Sequence, residues 1–355
     1  NGDEKFVEII TKGHERVLQA RLADAKFFYE EDQKEPLDQR VERLKGVIFQ
    51  EKLGTLYEKV ERIQELAELI ATSVGINQQE KENAKRAAFL CKADLLTNVV
   101  VEFPLLQGVM GREYARLSRE PGAVATAIYE HYLPRTATDS LPASRIGQVV
   151  SIADKLDTIA GCFCLGFLPT GSEDPFSLRR QAQGIISIIL ENQLPLSFPL
   201  LISSTLKLLA ENGVKYSWEK VKDDLEGFFK QRLRQHLLNQ GLAYDTLDAV
   251  LDEQVDNFVV VQKRAQAIHA FRGTKKMLDL ITAYTRCKNL SNPEAGAEVD
   301  EALLQESEEK DLQKALREAD SALSKSMEQG NYQKAIEILA GLRPVVDLFF
   351  DKVLV

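Results

Sequence analysis

Apolar residues recur at helical spacing along nearly the whole chain, and this periodicity limits the folds open to it. In the stretches 41–48 and 56–70, apolar side chains return every three or four residues. Proline and glycine fall between such stretches, and the period-two alternation of half-exposed strands is nearly absent. The pattern therefore predicts an all-α protein with short connections.

The composition is that of an ordinary folded protein. The 355 residues suffice for two or three domains, and they are 44% hydrophobic and 28% charged, with a net charge of −9. No apolar run reaches the roughly 18 to 20 residues that span a bilayer, and the polar residues at the N-terminus are not expected to form a signal peptide. We therefore expect a cytoplasmic protein that does not enter the membrane.

Four cysteines are scattered along the chain without the CxxC spacing of a zinc site. They are predicted to be reduced and mostly buried thiols: Cys91, Cys162, Cys164 and Cys287. The chain has no Met at position 1 and closes on apolar residues, so we expect both ends to be cuts in a longer protein.

Three segments are similar to the metal-binding helices of HD-superfamily phosphohydrolases. Those enzymes hold a divalent ion with a His, a His-Asp doublet and a distal Asp. Here Ala93 and Asp94 stand at the doublet, Asp154 stands at the distal position, and the first His falls near Lys59. Two carboxylates and a lysine make a poor divalent site, so we expect no metal and no catalytic residue.

Lys59 is instead predicted to place its ammonium within about 6 Å of Asp94 or Asp154. The two carboxylates are then structural, either paired with a cation or capping a helix. The alternative function is a metal-dependent HD-type phosphohydrolase that acts on nucleotides.

The loop before residue 180 carries a helix-start signal. Asp174 is predicted to cap a helix with Pro175 at its first position. Arg179 and Arg180 follow, and the sequence leaves open whether they pair with carboxylates such as Asp157 or face RNA.

Charge is segregated in the last hundred residues. Residues 262–290 contain seven Lys and Arg against the single acidic Asp279, whereas residues 291–320 contain ten acidic and three basic residues. An acidic protein needs such a local basic face to bind nucleic acid, although a solvated helix face is the commoner outcome for a charge run. The candidate RNA contacts are Lys263, Arg264, Arg272, Lys275, Lys276, Arg286 and Lys288, with a weaker cluster at Lys230, Arg232 and Arg234.

Long, specific strings occur along the chain: RVLQARLADAKFF from Arg16, VIFQEKLGTLY from Val47, EFPLLQG from Glu102, EHYLPR from Glu130, ADKLD from Ala153, PTGSEDPFSLRR from Pro169 and RPVVDLFFDKV from Arg343. With these strings the chain resembles, over essentially its whole length, the beta subunit of the two-subunit bacterial glycyl-tRNA synthetase.

The resemblance implies a non-catalytic fragment that recruits glycine tRNA for a separate alpha subunit, to which ATP and magnesium would bind. It also implies an order of domains: an entry segment at 1–40, a degenerate HD-type helical domain at 41–200, a helical linker at 201–255 and an anticodon-binding helical bundle at 256–355, truncated at its C-terminus. It places the cations of 262–290 in the anticodon-binding bundle. A scaffold that only holds the alpha subunit is a third possibility.

Overall fold

The computed structural model describes residues 6–171, 173–252, 255–291 and 299–353. These residues are mainly helical, and they include one short antiparallel pair of strands, so the predicted all-α class is confirmed. None of the described helices is long and apolar enough to cross a membrane. The chain divides into two compact units, Asn1–Leu233 and Arg234–Val355, here called the N-terminal and C-terminal units. The domain boundaries expected from the sequence stay predictions.

The N-terminal unit contains the two strands and the first ten helices, together with most of the eleventh. The bounds are α1 (Val7–Asp32), α2 (Leu37–Val41), β1 (Ile48–Gln50), β2 (Gly54–Thr55), α3 (Leu56–Ser73), α4 (Gln78–Leu90), α5 (Asn98–Glu102), α6 (Val109–Leu117), α7 (Gly122–Glu130), α8 (Arg145–Cys164), α9 (Leu178–Glu191), α10 (Phe198–Glu211) and α11 (Trp218–Asn239), which crosses the boundary.

Helix α8 is the centre of the N-terminal unit. Every residue from Ile146 to Cys164 is buried, and α3, α4, α7, α9 and α10 pack around it. A helix that is buried all round is expected to be apolar all round. Yet α8 also buries polar side chains, so these must find partners among the surrounding helices: Gln148, Ser151, Asp154, Lys155, Asp157 and Thr158.

Asp32 joins the end of α1 to three other elements. Its carboxylate accepts hydrogen bonds from the backbone N–H groups of Asn98 (2.9 Å) and Val99 (3.0 Å) at the start of α5, and from the Tyr114 hydroxyl (2.9 Å) of α6. The Arg40 guanidinium of α2 lies 3.7 Å away, and both side chains of this ion pair are buried. The buried charge is therefore compensated by one cation and a set of donors.

Helix α9 begins later than the sequence signal indicated. Its first residue is Leu178, and Ser177 before it has a left-handed backbone with φ +53°. Asp174 still accepts hydrogen bonds from the N–H groups of Leu178 (2.7 Å) and Arg179 (3.0 Å). The carboxylate thus caps the helix from three residues before the cap position, and Pro175 lies in the preceding turn instead of the first helical position.

The C-terminal unit is a helical bundle. Its helices after α11 are α12 (Tyr244–Leu251), α13 (Phe258–Phe271), α14 (Lys275–Leu290), α15 (Ser307–Glu328), α16 (Tyr332–Gly341) and α17 (Arg343–Lys352). Helix α16 packs against α13, α14, α15 and α17. Helix α14 ends at Leu290, and residues 292–298 lie outside the described residues.

Replacement of Asp32 by Ala should destabilise the N-terminal unit by about 3 to 5 kcal/mol, because it leaves the donors of Asn98, Val99 and Tyr114 without their acceptor. It also removes one of the two carboxylates, Asp32 and Glu35, that lie beside the buried Arg40 charge. Asp32→Asn should cost less, since its amide oxygen still accepts hydrogen bonds. Urea unfolding followed by circular dichroism measures the change. The control is Asp38→Ala, which breaks an exposed pair with Arg86 and should cost about 1 kcal/mol or less. Equal losses in Asp32→Ala and Asp38→Ala would contradict the role given to Asp32.

Candidate functional site

Two aspartates of α8 are held by cations from α3. The Lys59 ammonium lies 3.1 Å from Asp154 Oδ1 and 2.9 Å from Asp157 Oδ2, and it donates to Thr158 Oγ1 at 2.8 Å. The Arg62 guanidinium donates two hydrogen bonds to the Asp157 carboxylate, of 2.6 and 3.3 Å. Lys59 therefore meets the distance expected from the sequence, with Asp154 as its partner.

The start of α3 is fixed by a capping box directly before Lys59. The Thr55 hydroxyl accepts from the Glu58 N–H, and the Glu58 carboxylate accepts from the Thr55 N–H at 2.6 Å. Because residues three apart share one helix face, Lys59 and Arg62 both point at α8.

A second lysine reaches Asp154 from the end of α4. Lys92 Nζ lies 2.7 Å from Asp154 Oδ2 and 3.0 Å from His131 Nε2. The other ring nitrogen of His131 is 2.6 Å from the Ile128 carbonyl oxygen, so it must donate there and Nε2 must accept from Lys92. Burial and the Lys92 charge hold the pKa of His131 well below its usual range, and the imidazole is neutral.

These residues form what we call the lysine–aspartate cluster: Lys59, Arg62, Lys92, Asp154 and Asp157. Burial alone would raise the pKa of Asp154, but the ammonium groups of Lys92 and Lys59 hold that pKa well below its usual range. The pKa of Asp157 is lowered in the same way by Lys59 and Arg62. Both carboxylates are therefore ionised and compensated.

Lys155 is buried next to the cluster and donates three hydrogen bonds. Its acceptors are the carbonyl oxygens of His131 and Leu133, both at 2.9 Å, and Ser151 Oγ at 2.7 Å. Burial lowers the pKa of Lys155 to about 7; Asp154 opposes the shift, and the Lys92 and Lys59 charges add to it. Part of the Lys155 population is thus uncharged at neutral pH.

Asp94 caps a helix, whereas Asp154 pairs with lysines. Its Oδ2 accepts from the N–H groups of Gly108 (2.6 Å) and Gly111 (3.1 Å) and so caps the start of α6. A Cβ on Gly111 would lie 2.8 Å from this oxygen, so the close approach requires glycine. Burial raises the pKa of Asp94 to about 6. Ala93 is buried and contributes no polar group. The residue before it, Lys92, is one of the two lysines that contact Asp154.

The described residues contain no group of three or more His, Cys, Asp or Glu side chains arranged to hold a metal ion. The four cysteines are free thiols, and three of them are buried. Burial raises the pKa of Cys91, Cys162 and Cys164 to about 12, so none of these three is a thiolate at neutral pH.

A cavity of about 430 Å³ opens beside the lysine–aspartate cluster. Its charged lining comprises Lys59, Lys92, Arg135, Lys155 and Arg180, with Asp154 as the one carboxylate among the described lining residues. Its apolar and aromatic lining comprises Phe49, Leu56, Leu95, Tyr132, Pro134 and Phe176.

Several candidate RNA-binding cations of the C-terminal unit are occupied by carboxylates. Arg272 pairs with Asp245 at 2.9 Å, and Lys276 pairs with Glu337 at 2.6 Å. The Arg286 guanidinium of α14 bridges two carboxylates of α17 at 2.7 and 3.0 Å, those of Asp347 and Asp351. Arg264 lies over the Tyr332 ring, 5.5 Å from its centroid. These four side chains stabilise contacts between helices.

Three lysines of this region are different. Lys263, Lys275 and Lys288 are exposed and form no ion pair with another described residue. Lys288 lies 5.7 Å from the centroid of the Tyr284 ring.

The outer side of α14 carries exposed apolar and aromatic side chains. Leu278, Ile281 and Tyr284 are 60%, 52% and 61% exposed. Together with Lys288 they follow one another at spacings of three, three and four residues, so they lie along one side of the helix. We call Leu278, Ile281, Tyr284 and Lys288 the α14 face.

The three weaker candidate RNA contacts, Lys230, Arg232 and Arg234, differ in their partners. Arg234 pairs with Asp248, and Arg232 stacks on Phe228 at 4.1 Å and donates to its carbonyl oxygen. Lys230 forms no ion pair with another described residue.

Arg179 and Arg180 do not pair with Asp157, which is held by Lys59 and Arg62. Arg180 is exposed, donates to the Arg135 carbonyl oxygen and lines the cavity. Arg179 lines a separate hollow together with Phe228 and Arg232.

Sequence reasoning missed Lys92, Arg62 and His131 as members of or neighbours to the cluster. Lys92 immediately precedes the Ala93-Asp94 doublet, and Arg62 lies one helical turn after Lys59, so both offered a local signal. His131 offered none, because its partner Lys92 is 39 residues away along the chain.

Comparisons with known proteins give one consistent result. A sequence model of the family described as glycyl-tRNA synthetase beta subunit matches residues 1–252. The glycine–tRNA ligase beta subunit of Desulforamulus reducens is 44% identical over 356 residues, which cover 100% of this chain and 51% of the relative. That of Geobacter sulfurreducens is 46% identical over 347 residues, which cover 98% of this chain and 50% of the relative. The chain spans about half the length of the curated relatives it matches.

Replacement of Lys155 by Met should change how stability depends on pH. The native Lys155 loses its proton near pH 7, whereas the unfolded chain keeps it until about pH 10.5. Between these values the unfolded state binds more protons, so Lys155 makes the free energy of unfolding rise with pH. The Met variant should lack this rise.

Urea unfolding at a series of pH values from about 6.5 to 9.5 measures the effect as the difference between parent and variant. Lys207→Met, at a side chain that is 73% exposed, is the control and should leave the slope unchanged. A Lys155→Met variant with the parental slope would show that Lys155 titrates normally.

Proposed function

Because the chain belongs to the glycyl-tRNA synthetase beta-subunit family, we propose that it recognises glycine tRNA while a separate alpha subunit joins glycine to that tRNA. On this proposal ATP and magnesium act in the alpha subunit, the chain itself is non-catalytic, and it works in the cytoplasm. The proposal assigns the RNA contacts to the C-terminal unit.

Three exposed lysines of residues 262–290 carry the proposal, because no carboxylate of the described residues pairs with them. A cation that already pairs with Asp or Glu gains little from a phosphate, because the pair must first be broken. Lys263, Lys275 and Lys288 have no such cost, and each can displace a counterion from the RNA backbone. In a chain with a net charge of −9, affinity for RNA depends on such local cations.

The α14 face supports the same function. An exposed aromatic ring next to a lysine is a suitable surface for an unpaired base of an RNA loop, which stacks on the ring while its phosphate meets the ammonium. Tyr284 and Lys288 provide this combination, and Leu278 and Ile281 extend the apolar surface along the helix.

No contact among the described residues favours the phosphohydrolase alternative. Both carboxylate oxygens of Asp154 contact ammonium groups, and a divalent ion would have to displace Lys59 or Lys92 to reach them.

The triple variant Lys263→Ala, Lys275→Ala, Lys288→Ala should bind glycine tRNA more weakly and with a flatter salt dependence. Each phosphate contact contributes close to one unit to the slope of log K against log salt, so the slope should fall by about two to three. Filter binding or fluorescence anisotropy at a series of salt concentrations gives both quantities.

The matched control is Lys310→Ala, Lys314→Ala, Lys325→Ala. It removes the same charge from exposed positions of α15 in the same unit and should leave the slope close to that of the parent. If the two triple variants behave alike, only overall charge matters and the proposed contacts are wrong. If the first variant keeps tRNA binding but no longer captures the alpha subunit, the region is a scaffold for that subunit.

Replacement of Tyr284 by Ala should weaken tRNA binding by about 1 to 3 kcal/mol without changing the salt slope, because stacking is lost and no charge is removed. Tyr284→Phe should keep most of the affinity. Tyr244→Ala, at another exposed tyrosine of the same unit (66% exposed), is the control. An affinity loss that is the same for Tyr284→Ala and Tyr244→Ala would argue against the α14 face as an RNA contact.

A further inference from the structure

We propose that the cavity beside the lysine–aspartate cluster is a binding site for the phosphoryl group of a nucleotide, either a free mononucleotide or a nucleotide within an RNA strand. The site lies in the N-terminal unit and is separate from the α14 face. The inference rests on the cavity itself and does not depend on the proposed tRNA contacts.

The charge that lines the cavity is mainly positive. Four cationic side chains line the cavity together with Lys155, whose pKa of about 7 leaves it partly charged, and among the described lining residues they face one carboxylate, that of Asp154. Asp157 stands behind this lining and is already shared by Lys59 and Arg62. A concave surface with one sign of charge and apolar walls concentrates the opposite charge, so the cavity favours an anion.

Two arginines of the lining, Arg135 and Arg180, contact carbonyl oxygens and keep donors for a ligand. Arg135 donates to the carbonyl oxygens of Leu105 and Gln107, and Arg180 donates to the carbonyl oxygen of Arg135. Neither guanidinium pairs with a carboxylate among the described residues. A guanidinium has five donors in a fork that matches the oxygens of a phosphate, so both retain capacity for an anionic ligand.

Two buried donors of the lining have no acceptor among the described residues. The Tyr132 hydroxyl and Arg135 Nε are buried polar atoms without a hydrogen-bond partner in the described part of the chain, and both residues line the cavity. Lys92 uses two of its three donors, on Asp154 and His131. Buried donors without acceptors are costly and rare, so a group with several acceptor oxygens is the ligand that this arrangement fits.

Size and wall chemistry narrow the ligand further. A volume of about 430 Å³ is at the lower end of small-molecule sites, which suits a mononucleotide. Phe49, Leu95 and Phe176 supply apolar and aromatic surface beside the cations. A ligand with a flat base and a phosphate matches both kinds of wall, whereas a bare anion matches only one.

Isothermal titration calorimetry with the 355-residue chain tests the proposal. The probes are inorganic phosphate, AMP, CMP and the nucleoside adenosine. We expect phosphate, AMP and CMP to bind at one site per chain, the nucleotides more tightly than phosphate, and adenosine to bind at least tenfold more weakly than AMP.

Substitutions locate the site. Arg180→Gln removes an exposed lining cation and should weaken AMP binding about tenfold, the change expected for one charge-assisted contact. Tyr132→Phe removes only the hydroxyl donor and should weaken AMP binding severalfold. The matched control is Arg179→Gln, which removes the same charge from the neighbouring residue outside this cavity and should leave AMP binding unchanged.

Lys92→Met tests the buried part of the lining, with circular dichroism and thermal unfolding to check the fold. If this variant is unfolded, Arg180→Gln and Tyr132→Phe still decide the question, because neither removes a member of the cluster.

A comparison of free nucleotides with tRNA distinguishes the two possible sources of the phosphoryl group. Binding of AMP or CMP that Arg180→Gln weakens and Arg179→Gln spares identifies a site for free nucleotides. Absence of nucleotide binding, together with a tRNA affinity that Arg180→Gln lowers and Arg179→Gln spares, identifies a nucleotide of an RNA strand. If Arg180→Gln and Arg179→Gln have equal effects on every probe, the proposal is wrong. The variants of Lys263, Lys275 and Lys288 should leave AMP binding intact, so a failure of the tRNA proposal is distinguishable from a failure here.

Discussion

Two aspartates one helical turn apart on α8 form the buried ion pairs that connect this central helix with α3 and α4. Asp154 contacts ammonium groups from α3 and from the end of α4, and Asp157 is gripped by the arginine and the lysine of α3. A buried charge that loses its partner costs several kcal/mol. Helices α3 and α4 are therefore restricted to the placement against α8 that keeps these pairs, a restriction that apolar contacts alone do not impose.

Local sequence patterns were sufficient to predict the fold class, but they predicted only part of the lysine–aspartate cluster. Helical periodicity and breakers are properties of neighbouring residues, so the all-α class could be predicted. The pairing of Lys59 with Asp154 could be anticipated because three segments resembled a known arrangement of helices. The contribution of Lys92 and the neutral state of His131 could not, since they depend on how segments tens of residues apart meet inside a buried core.

The basic stretch 262–290 shows a different limit of sequence reasoning. Counting charges within the stretch gave seven cations against one acid, and this suggested a uniform basic surface. In the folded unit, carboxylates from α12, α16 and α17 neutralise Arg272, Lys276 and Arg286. Cations that are separated from acidic residues along the sequence are therefore paired with carboxylates in the folded unit. Only some of the seven cations of residues 262–290 remain available to a ligand. The start of α9 shows the same limit at short range, because Asp174 caps the helix across a turn that sequence rules do not describe.

The two lysines that neutralise Asp154 are attached to the backbone. An ion bound by carboxylates exchanges with the surrounding solution, and its occupancy depends on supply, competing ions and chelators. Lys59 and Lys92 are present in every copy of the chain from the moment it folds, at a fixed ratio of two ammonium groups to one carboxylate. The positive charge that Lys59 and Lys92 bring to this cavity is therefore encoded in the sequence and does not depend on the supply of metal ions. It changes only when these lysines are mutated or lose their protons.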